Sequence, residues 1–127
     1  MSKRILVIED HEDNRQIMNV TLSAAGFEVI EAVTGDEGVV MAESERPDLI
    51  LMDIQLPGLD GYEATRLIKA KPALSHIPII VVTSYALSGD EVKAKEAGCN
   101  AYLAKPFRPR ELLAMVCEFV PKPLPEE

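Results

Sequence analysis

Four short apolar runs in this chain are each followed by charged or hydroxyl-bearing residues. Residues 4–8 precede Glu9 and Asp10, residues 48–52 precede Asp53, residues 79–82 precede Thr83, and residues 101–104 precede Lys105. Apolar runs of this length are typical of the buried strands of a parallel sheet. The carboxyl ends of parallel strands share one edge, where open α/β sheets bind their ligands. The pattern therefore predicts one polar site at one edge of a sheet.

Segments with helical periodicity separate these runs, which predicts alternating strands and helices around a parallel sheet. The first helix is predicted over residues 13–25, with Met18, Leu22 and Ala25 on one face, and Gly26 is suited to end it in a left-handed conformation. Residues 28–32 mix glutamate with apolar side chains, which predicts an edge strand with one exposed face. Thr34 and Glu37 have the spacing of a capping box that begins a second helix.

Three further helices are predicted after Asp60 and Gly61, after a capping box of Ser88 and Glu91, and from Pro109. Their predicted inward-facing residues are Ala64, Leu67 and Ile68 in the third helix, Val92, Ala94 and Ala97 in the fourth, and Leu112, Leu113, Val116 and Phe119 in the fifth. The fourth helix has a thin apolar face and is expected to end at Gly98.

The length of 127 residues predicts one domain over residues 1–120 and a short proline-rich tail over residues 121–127. The net charge of −8 argues against nonspecific binding to nucleic acid or to an anionic membrane. No apolar stretch approaches the roughly 20 residues that span a bilayer, and the first residues lack a signal-peptide pattern. The expected location is the cytoplasm.

Glu9, Asp10 and Asp53 are expected to converge at the sheet edge. Two like charges about 4 Å apart repel by roughly 4 kcal/mol at an effective dielectric constant near 20, so a bound cation or a protonated carboxyl is required. Oxygen ligands favour Mg²⁺, with Mn²⁺ possible, and the backbone carbonyl of Gln55 could add a ligand. His11 follows the acidic pair. It could serve as a metal ligand, but a solvated loop histidine is the preferred interpretation.

Lys105 and Thr83 would add an ammonium group and a hydroxyl to the same edge. Together with a divalent cation and backbone N–H groups, these side chains would form a receptor for a phosphoryl group. A carboxylate can attack phosphorus and form an aspartyl phosphate, and Asp53 is the predicted acceptor. Each residue alone has a simpler explanation as a cap, a turn or a solvated loop. The predictive feature is the combination, with each residue following a successive strand.

These residues, in this order, resemble the receiver domain of bacterial two-component response regulators. The resemblance covers residues 3–119, and its motifs lie at residues 5–10, 51–61, 81–83 and 98–107. It implies a flavodoxin-like α/β fold: a doubly wound, five-stranded parallel sheet of order 2-1-3-4-5, with five helices in three layers.

The resemblance also implies the roles of the site residues. Asp53 would accept a phosphoryl group from a phosphohistidine on a sensor histidine kinase or a phosphotransfer protein. Asp10, Asp53 and the Gln55 carbonyl would bind Mg²⁺, with Glu9 acting through a water molecule. Lys105, followed by a cis bond to Pro106, would pair with the phosphoryl oxygens.

Two residues are implied to form the switch and two to tune the phosphoryl lifetime. Thr83 would move towards the phosphoryl group, and Tyr102 would turn inward into the space left by the hydroxyl. Gln55 and Tyr85 occupy positions that influence hydrolysis in this family, and Ser84 is small enough to keep the site accessible. The bulk of Tyr85 predicts slow self-dephosphorylation of a phosphoprotein that is not otherwise an enzyme.

No output domain is recognisable in the sequence, so the signal is expected to pass through protein contacts on the face formed by helix 4, strand 5 and helix 5. The protein is expected to be a monomer or a phosphorylation-dependent dimer without direct nucleic-acid contacts. The alternative is a receiver-like module that binds partners without phosphorylation. An aspartate-nucleophile phosphatase is disfavoured because Gln55 stands where a second carboxylate would be needed. An FMN carrier is disfavoured by the acidic residues 9–13.

Overall fold

The computed structural model describes residues 3–83 and 90–121, with the backbone alone at positions 90 and 91. Strands and helices alternate along the chain as β1 (Arg4–Ile8), α1 (Glu12–Ala24), β2 (Glu28–Ala32), α2 (Gly35–Glu45), β3 (Leu49–Asp53), α3 (Gly61–Lys69), β4 (Ile79–Thr83), α4 (Asp90–Ala97), β5 (Ala101–Ala104) and α5 (Pro109–Phe119). The strands form one sheet of order β2-β1-β3-β4-β5, and every neighbouring pair is parallel. The flavodoxin-like fold implied by the resemblance is confirmed.

The sheet separates two hydrophobic clusters because successive side chains of a strand point to opposite faces. In β1, Ile5 and Val7 join the cluster that packs against α1 and α5, whereas Leu6 and Ile8 join the cluster that packs against α2, α3 and α4. The three central strands are buried on both faces, which explains their continuous apolar runs. β2 is an edge strand, as predicted, but the expectation of one exposed face is wrong, because the exposed residues Glu28 and Glu31 are three positions apart and point to opposite faces.

The predicted helix boundaries are confirmed where the chain must adopt a positive φ. At the end of α1, Gly26 has φ 98°, its N–H donates to Ser23, and the Phe27 N–H donates to Leu22. These two bonds form a Schellman motif, which suits glycine.

At the start of α2, the Thr34 hydroxyl accepts from the Glu37 N–H at 3.1 Å. The Glu37 carboxylate accepts from the Val33 N–H at 3.0 Å, one residue before the partner that a capping box predicts.

The predictions that Leu67 and Val92 face inward are wrong. The side chain of Leu67 is 46% exposed, and that of Val92 is 60% exposed. The buried face of α3 instead carries Thr65, whose hydroxyl donates to the Gly61 carbonyl at 2.7 Å. Because this local bond satisfies the hydroxyl, the small polar side chain is tolerated in the core.

The predicted inward positions Ala94, Ala97, Leu112 and Val116 are buried, and Leu113 and Phe119 pack partly buried against the core. The predicted cap residue Ser88 lies outside the described residues. None of the described helices is both long and apolar enough to cross a membrane.

The start of α3 packs unusually close to the end of β3. A Cβ added at Gly61 would lie 2.2 Å from the carbonyl oxygen of Asp53 and 2.7 Å from the Cα of Ile54. The N–H of Gly61 donates to the Ile54 carbonyl at 2.9 Å. Glycine at this position therefore allows α3 to approach the backbone that carries Asp53.

We expect Gly61→Ala to lower the free energy of unfolding by about 1–3 kcal/mol, because the added methyl group must displace backbone atoms. Alanine is ordinarily about 1 kcal/mol more favourable than glycine in a helix. A loss of stability in Gly61→Ala would therefore show that the added methyl group clashes with the backbone at the end of β3. Urea unfolding measures the effect. Glu63→Ala, at an exposed position of the same turn, is the control and should change stability by about 0.5 kcal/mol or less. A Gly61→Ala protein as stable as wild type would contradict the close packing.

Candidate functional site

The carboxyl ends of the strands bring the predicted polar residues to one edge of the sheet. Ile8 lies opposite Met52 in the sheet, Asp53 lies opposite Val82, and Thr83 lies opposite Ala104. Glu9 and Lys105, which directly follow β1 and β5, thus extend the row that Asp53 and Thr83 begin. Glu9, Asp53 and Thr83 are all buried.

Lys105 connects the two buried carboxylates. Its Nζ donates to Glu9 Oε1 at 2.8 Å and lies 3.5 Å from Asp53 Oδ1. The lysine side chain is only 13% exposed, so this ammonium group is itself largely withdrawn from water. The N–H of Gln55 adds a longer contact to Asp53 Oδ1, at 3.4 Å. The structure thus brings together Glu9, Asp53 and Lys105, as the sequence predicted.

The two buried carboxyls have opposite pKa shifts. Burial raises the pKa of Asp53, the hydrogen bond and charge repulsion from Glu9 raise it further, and Lys105 only partly opposes them, so the pKa reaches about 7. Burial also acts to raise the pKa of Glu9, but hydrogen bonds from Lys105 and Asp53 and attraction to Lys105 hold it below its usual value. Without added positive charge, a proton on Asp53 is therefore shared with an ionised Glu9.

Asp10 directly follows Glu9 in the chain and contributes a buried oxygen. Its Oδ1 makes no hydrogen bond to any of the described residues. Carboxylate oxygens of Glu9 and Asp10 and a ring nitrogen of His11 lie within 4.8 Å of one another, a group that does not include Asp53. An orphaned buried carboxylate oxygen beside other carboxylates fits a site for a hard divalent cation.

Arg15 is a site-supporting residue that the sequence interpretation missed. Its Nη1 donates to the Glu9 carbonyl at 3.0 Å, and the same atom lies 3.5 Å from the Asp10 carbonyl. Its Nε is 3.6 Å from Glu31 Oε1, on the neighbouring strand β2. Arg15 thereby ties α1 and β2 to the backbone that carries the acidic pair. The position of an arginine one turn into the helix that follows this loop was the available signal.

The predicted switch residues lie on β4 and β5. The Thr83 carbonyl accepts the Lys105 N–H at 2.7 Å, which joins the ends of these neighbouring strands. The ring of Tyr102 packs partly buried against the core beneath α4, and its hydroxyl is buried. The Lys105–Pro106 bond is cis, as the resemblance implied. Ser84 and Tyr85 lie outside the described residues.

Comparison with known proteins is consistent with this geometry. Residues 5–117 match the family model of the response regulator receiver domain. The chain therefore belongs to the receiver domains of two-component signalling. Among curated relatives, the polar-differentiation response regulators DivK of Brucella anthropi and Brucella ovis are 43% and 42% identical over 107 residues, which are 84% of this chain and 87% of each relative.

Solved structures agree with the assignment. The receiver domain of the sensor histidine kinase PA1611 from Pseudomonas aeruginosa, described with a magnesium ion coordinated in the active-site cleft, is 40% identical with a TM-score of 0.88 and covers 94% of this chain and 98% of that one. The chemotaxis protein CheY4 of Vibrio cholerae is 28% identical with a TM-score of 0.89 and covers 94% of this chain and all of that one. The fold and the general phosphoacceptor class of this chain are thus established.

We expect Asp53→Asn to stabilise the metal-free protein in a pH-dependent way. The folded-state pKa of Asp53 is raised to about 7, so its stabilising contribution is full below the unfolded value of 3.8 and is lost as the pH rises through about 7. The gain from the amide should therefore grow between about pH 4 and pH 7, towards a limit of about 4 kcal/mol, and then level off. The pKa of Glu9 is lowered from its usual value of 4.5, so its effect acts at lower pH.

Chemical unfolding in EDTA at several pH values measures this gain. Asp13→Asn is the matched control, because Asp13 is an exposed acid in the first turn of α1, where its charge is favourable. If relief of the overall negative charge were the main cause, the gain for Asp13→Asn would approach that for Asp53→Asn, whereas loss of the favourable charge at the helix N-terminus should leave Asp13→Asn no more stable than wild type. A gain for Asp53→Asn that did not change with pH would refute the raised pKa.

Proposed function

We propose that this receiver domain acts in the cytoplasm and accepts a phosphoryl group on Asp53 in a Mg²⁺-dependent reaction. The observation that carries the proposal is the ammonium group of Lys105 held between the buried carboxylates of Glu9 and Asp53. When Asp53 is ionised, the charges of Glu9, Asp10 and Asp53 exceed that of Lys105, and a divalent cation would balance the excess. The magnesium described in the related PA1611 receiver supports the same cation here.

Asp10, Asp53 and the Gln55 carbonyl would hold the Mg²⁺, with Glu9 acting through a water molecule. The ion would supply neutralising charge at the phosphoryl oxygens. Positive charge near Asp53 favours its ionised form, the form that attacks phosphorus. In the transfer, an Asp53 oxygen bonds to phosphorus, the P–N bond of the donor phosphohistidine breaks, and its electron pair stays on the imidazole. Lys105 would then exchange part of its contact with Asp53 for a phosphoryl oxygen.

The proposed donor is a sensor histidine kinase or a histidine phosphotransfer protein. A surface groove of about 510 Å³ opens beside Lys105 and is lined by Asn14, Ile17, Lys105, Pro106 and Phe107. Ile17 is half exposed in this groove. An apolar partner surface could dock there and present its phosphohistidine to the sheet edge.

The proposed output surface is the face formed by α4, β5 and α5. The α4 helix has eight residues, and its buried side chains include the two small residues Ala94 and Ala97. Such weak anchoring suits an element that shifts when Thr83 and Tyr102 rearrange. Beside it, Leu103 and Met115 lie in a second groove with Glu111 and Glu118. We propose that phosphorylation changes which proteins bind this face.

We expect the wild-type protein to gain the mass of one phosphoryl group when it is incubated with acetyl phosphate and Mg²⁺. Asp53→Asn should gain none, because an amide cannot attack phosphorus, and EDTA should suppress the reaction. Intact-mass spectrometry measures uptake, and borohydride reduction followed by peptide mapping identifies the residue. Asp13→Asn should be labelled like wild type. Equal labelling of wild type and Asp53→Asn would refute Asp53 as the acceptor.

We expect phosphorylation to change amide hydrogen exchange in residues 92–104 of the wild type, because the proposed switch moves α4 and β5. Exchange in β1 and β2 should change far less. The comparison uses acetyl phosphate with wild type and with Asp53→Asn under the same Mg²⁺ concentration. Unchanged exchange in a protein shown to be phosphorylated would favour the alternative, a receiver fold that binds its partners independently of phosphorylation. The expected slow self-dephosphorylation is measured in the same experiment from the decay of the phosphorylated mass.

A further inference from the structure

His11 occupies the N-cap position of α1 but does not cap the helix. Its backbone is extended, at φ −79° and ψ 118°, and its side chain makes no capping hydrogen bond. The ring turns Nδ1 towards the acidic pair, 3.4 Å from Asp10 Oδ1 and 3.7 Å from Glu9 Oε2. The side chain is 70% exposed, so this orientation is not imposed by packing.

The distance of His11 Nδ1 from Asp10 Oδ1, a direct ligand of the proposed cation site, is that of neighbouring ligands around one ion, and Glu9 Oε2 lies nearby. Metal–ligand bonds of about 2.0–2.2 Å place neighbouring donors of one ion on the order of 3–4 Å apart. The two measured distances, 3.4 Å and 3.7 Å, lie in this range. Neither contact is a hydrogen bond, and Asp10 Oδ1 is buried without a hydrogen-bond partner among the described residues.

Lys105 contacts a different oxygen of Glu9 from the one that faces His11. It binds Glu9 through Oε1, while Glu9 Oε2 faces His11 and accepts the His11 N–H at 3.2 Å. The two oxygens of one carboxylate thus have separate partners. One belongs to the lysine and Asp53 side of the pocket, and the other belongs to the Asp10 and His11 side.

The added donor is a nitrogen, which changes the preferred ion. Mg²⁺ selects oxygen ligands, whereas imidazole favours divalent transition ions. We propose that His11 supplies a nitrogen ligand to the acidic pocket and makes it bind divalent transition ions, of the Mn²⁺ to Ni²⁺ series, in preference to Mg²⁺. This inference rests on the cation site of the proposed function and concerns its selectivity.

The test begins with the untagged, metal-free wild-type protein loaded with Mn²⁺. Pulsed electron paramagnetic resonance should detect coupling between the ion and a directly bound ¹⁴N nucleus. The coupling should be lost in His11→Gln and retained in His76→Gln. His76 is the matched control, because it is exposed and precedes β4, at the opposite edge of the sheet from the site. Calorimetric titration of the same proteins compares the affinities for Ni²⁺ and Mg²⁺.

In His11→Gln, the Ni²⁺ affinity should fall about tenfold or more while the Mg²⁺ affinity changes less than about twofold. A wild type without nitrogen coupling, a His11→Gln protein that keeps it, or equal losses of Ni²⁺ and Mg²⁺ affinity would overturn the inference. Phosphoryl uptake with Mg²⁺ is measured on the same wild-type preparation. Uptake without nitrogen coupling refutes only the role of His11, whereas nitrogen coupling without uptake refutes the proposed function and leaves the metal site.

Discussion

The contact of Lys105 with Glu9 and Asp53 is the interaction on which the architecture of the site depends. Two carboxyls buried side by side would repel strongly, and removing either from water is costly. One ammonium group opposes both penalties for Glu9 but only part of them for Asp53, whose pKa remains near 7. The folded pocket is therefore incompletely neutralised. An added cation would stabilise a pocket in this state, as the proposed phosphoryl transfer requires.

The sheet supplies this contact from residues that are far apart in sequence, because Glu9 and Lys105 are separated by 96 positions. Parallel pairing places the ends of β1, β3, β4 and β5 at one edge, and close packing of α3 at Gly61 supports the backbone that carries Asp53. Arg15 secures the loop of the acidic pair from the other side. The position of each functional group thus depends on backbone packing of the neighbouring element.

Much of the fold could be predicted because its patterns are local. Apolar runs, turn glycines and the mixed polarity of β2 correctly indicated five strands and five helices. The wrong assignments, Leu67 and Val92, are apolar residues on helix faces that the core does not cover. When small or polar residues occupy the buried face of a short helix, hydrophobicity alone does not identify which face is buried. Thr65 shows this, since its hydroxyl is satisfied within its own helix. Similarly, local spacing identified the Thr34 cap but not Val33 as the partner of Glu37.

The sequence by itself determined which groups follow which strands, and so it identified Glu9, Asp10, Asp53, Thr83 and Lys105 as a set. Only the tertiary structure decided which of these side chains contact one another. Lys105 binds Glu9 and Asp53, while His11 faces an oxygen of Asp10 that has no hydrogen-bond partner within the described part of the chain. Side-chain contacts across a sheet edge depend on register, burial and competition for a single ammonium group. None of these is encoded in the spacing of residues along the chain.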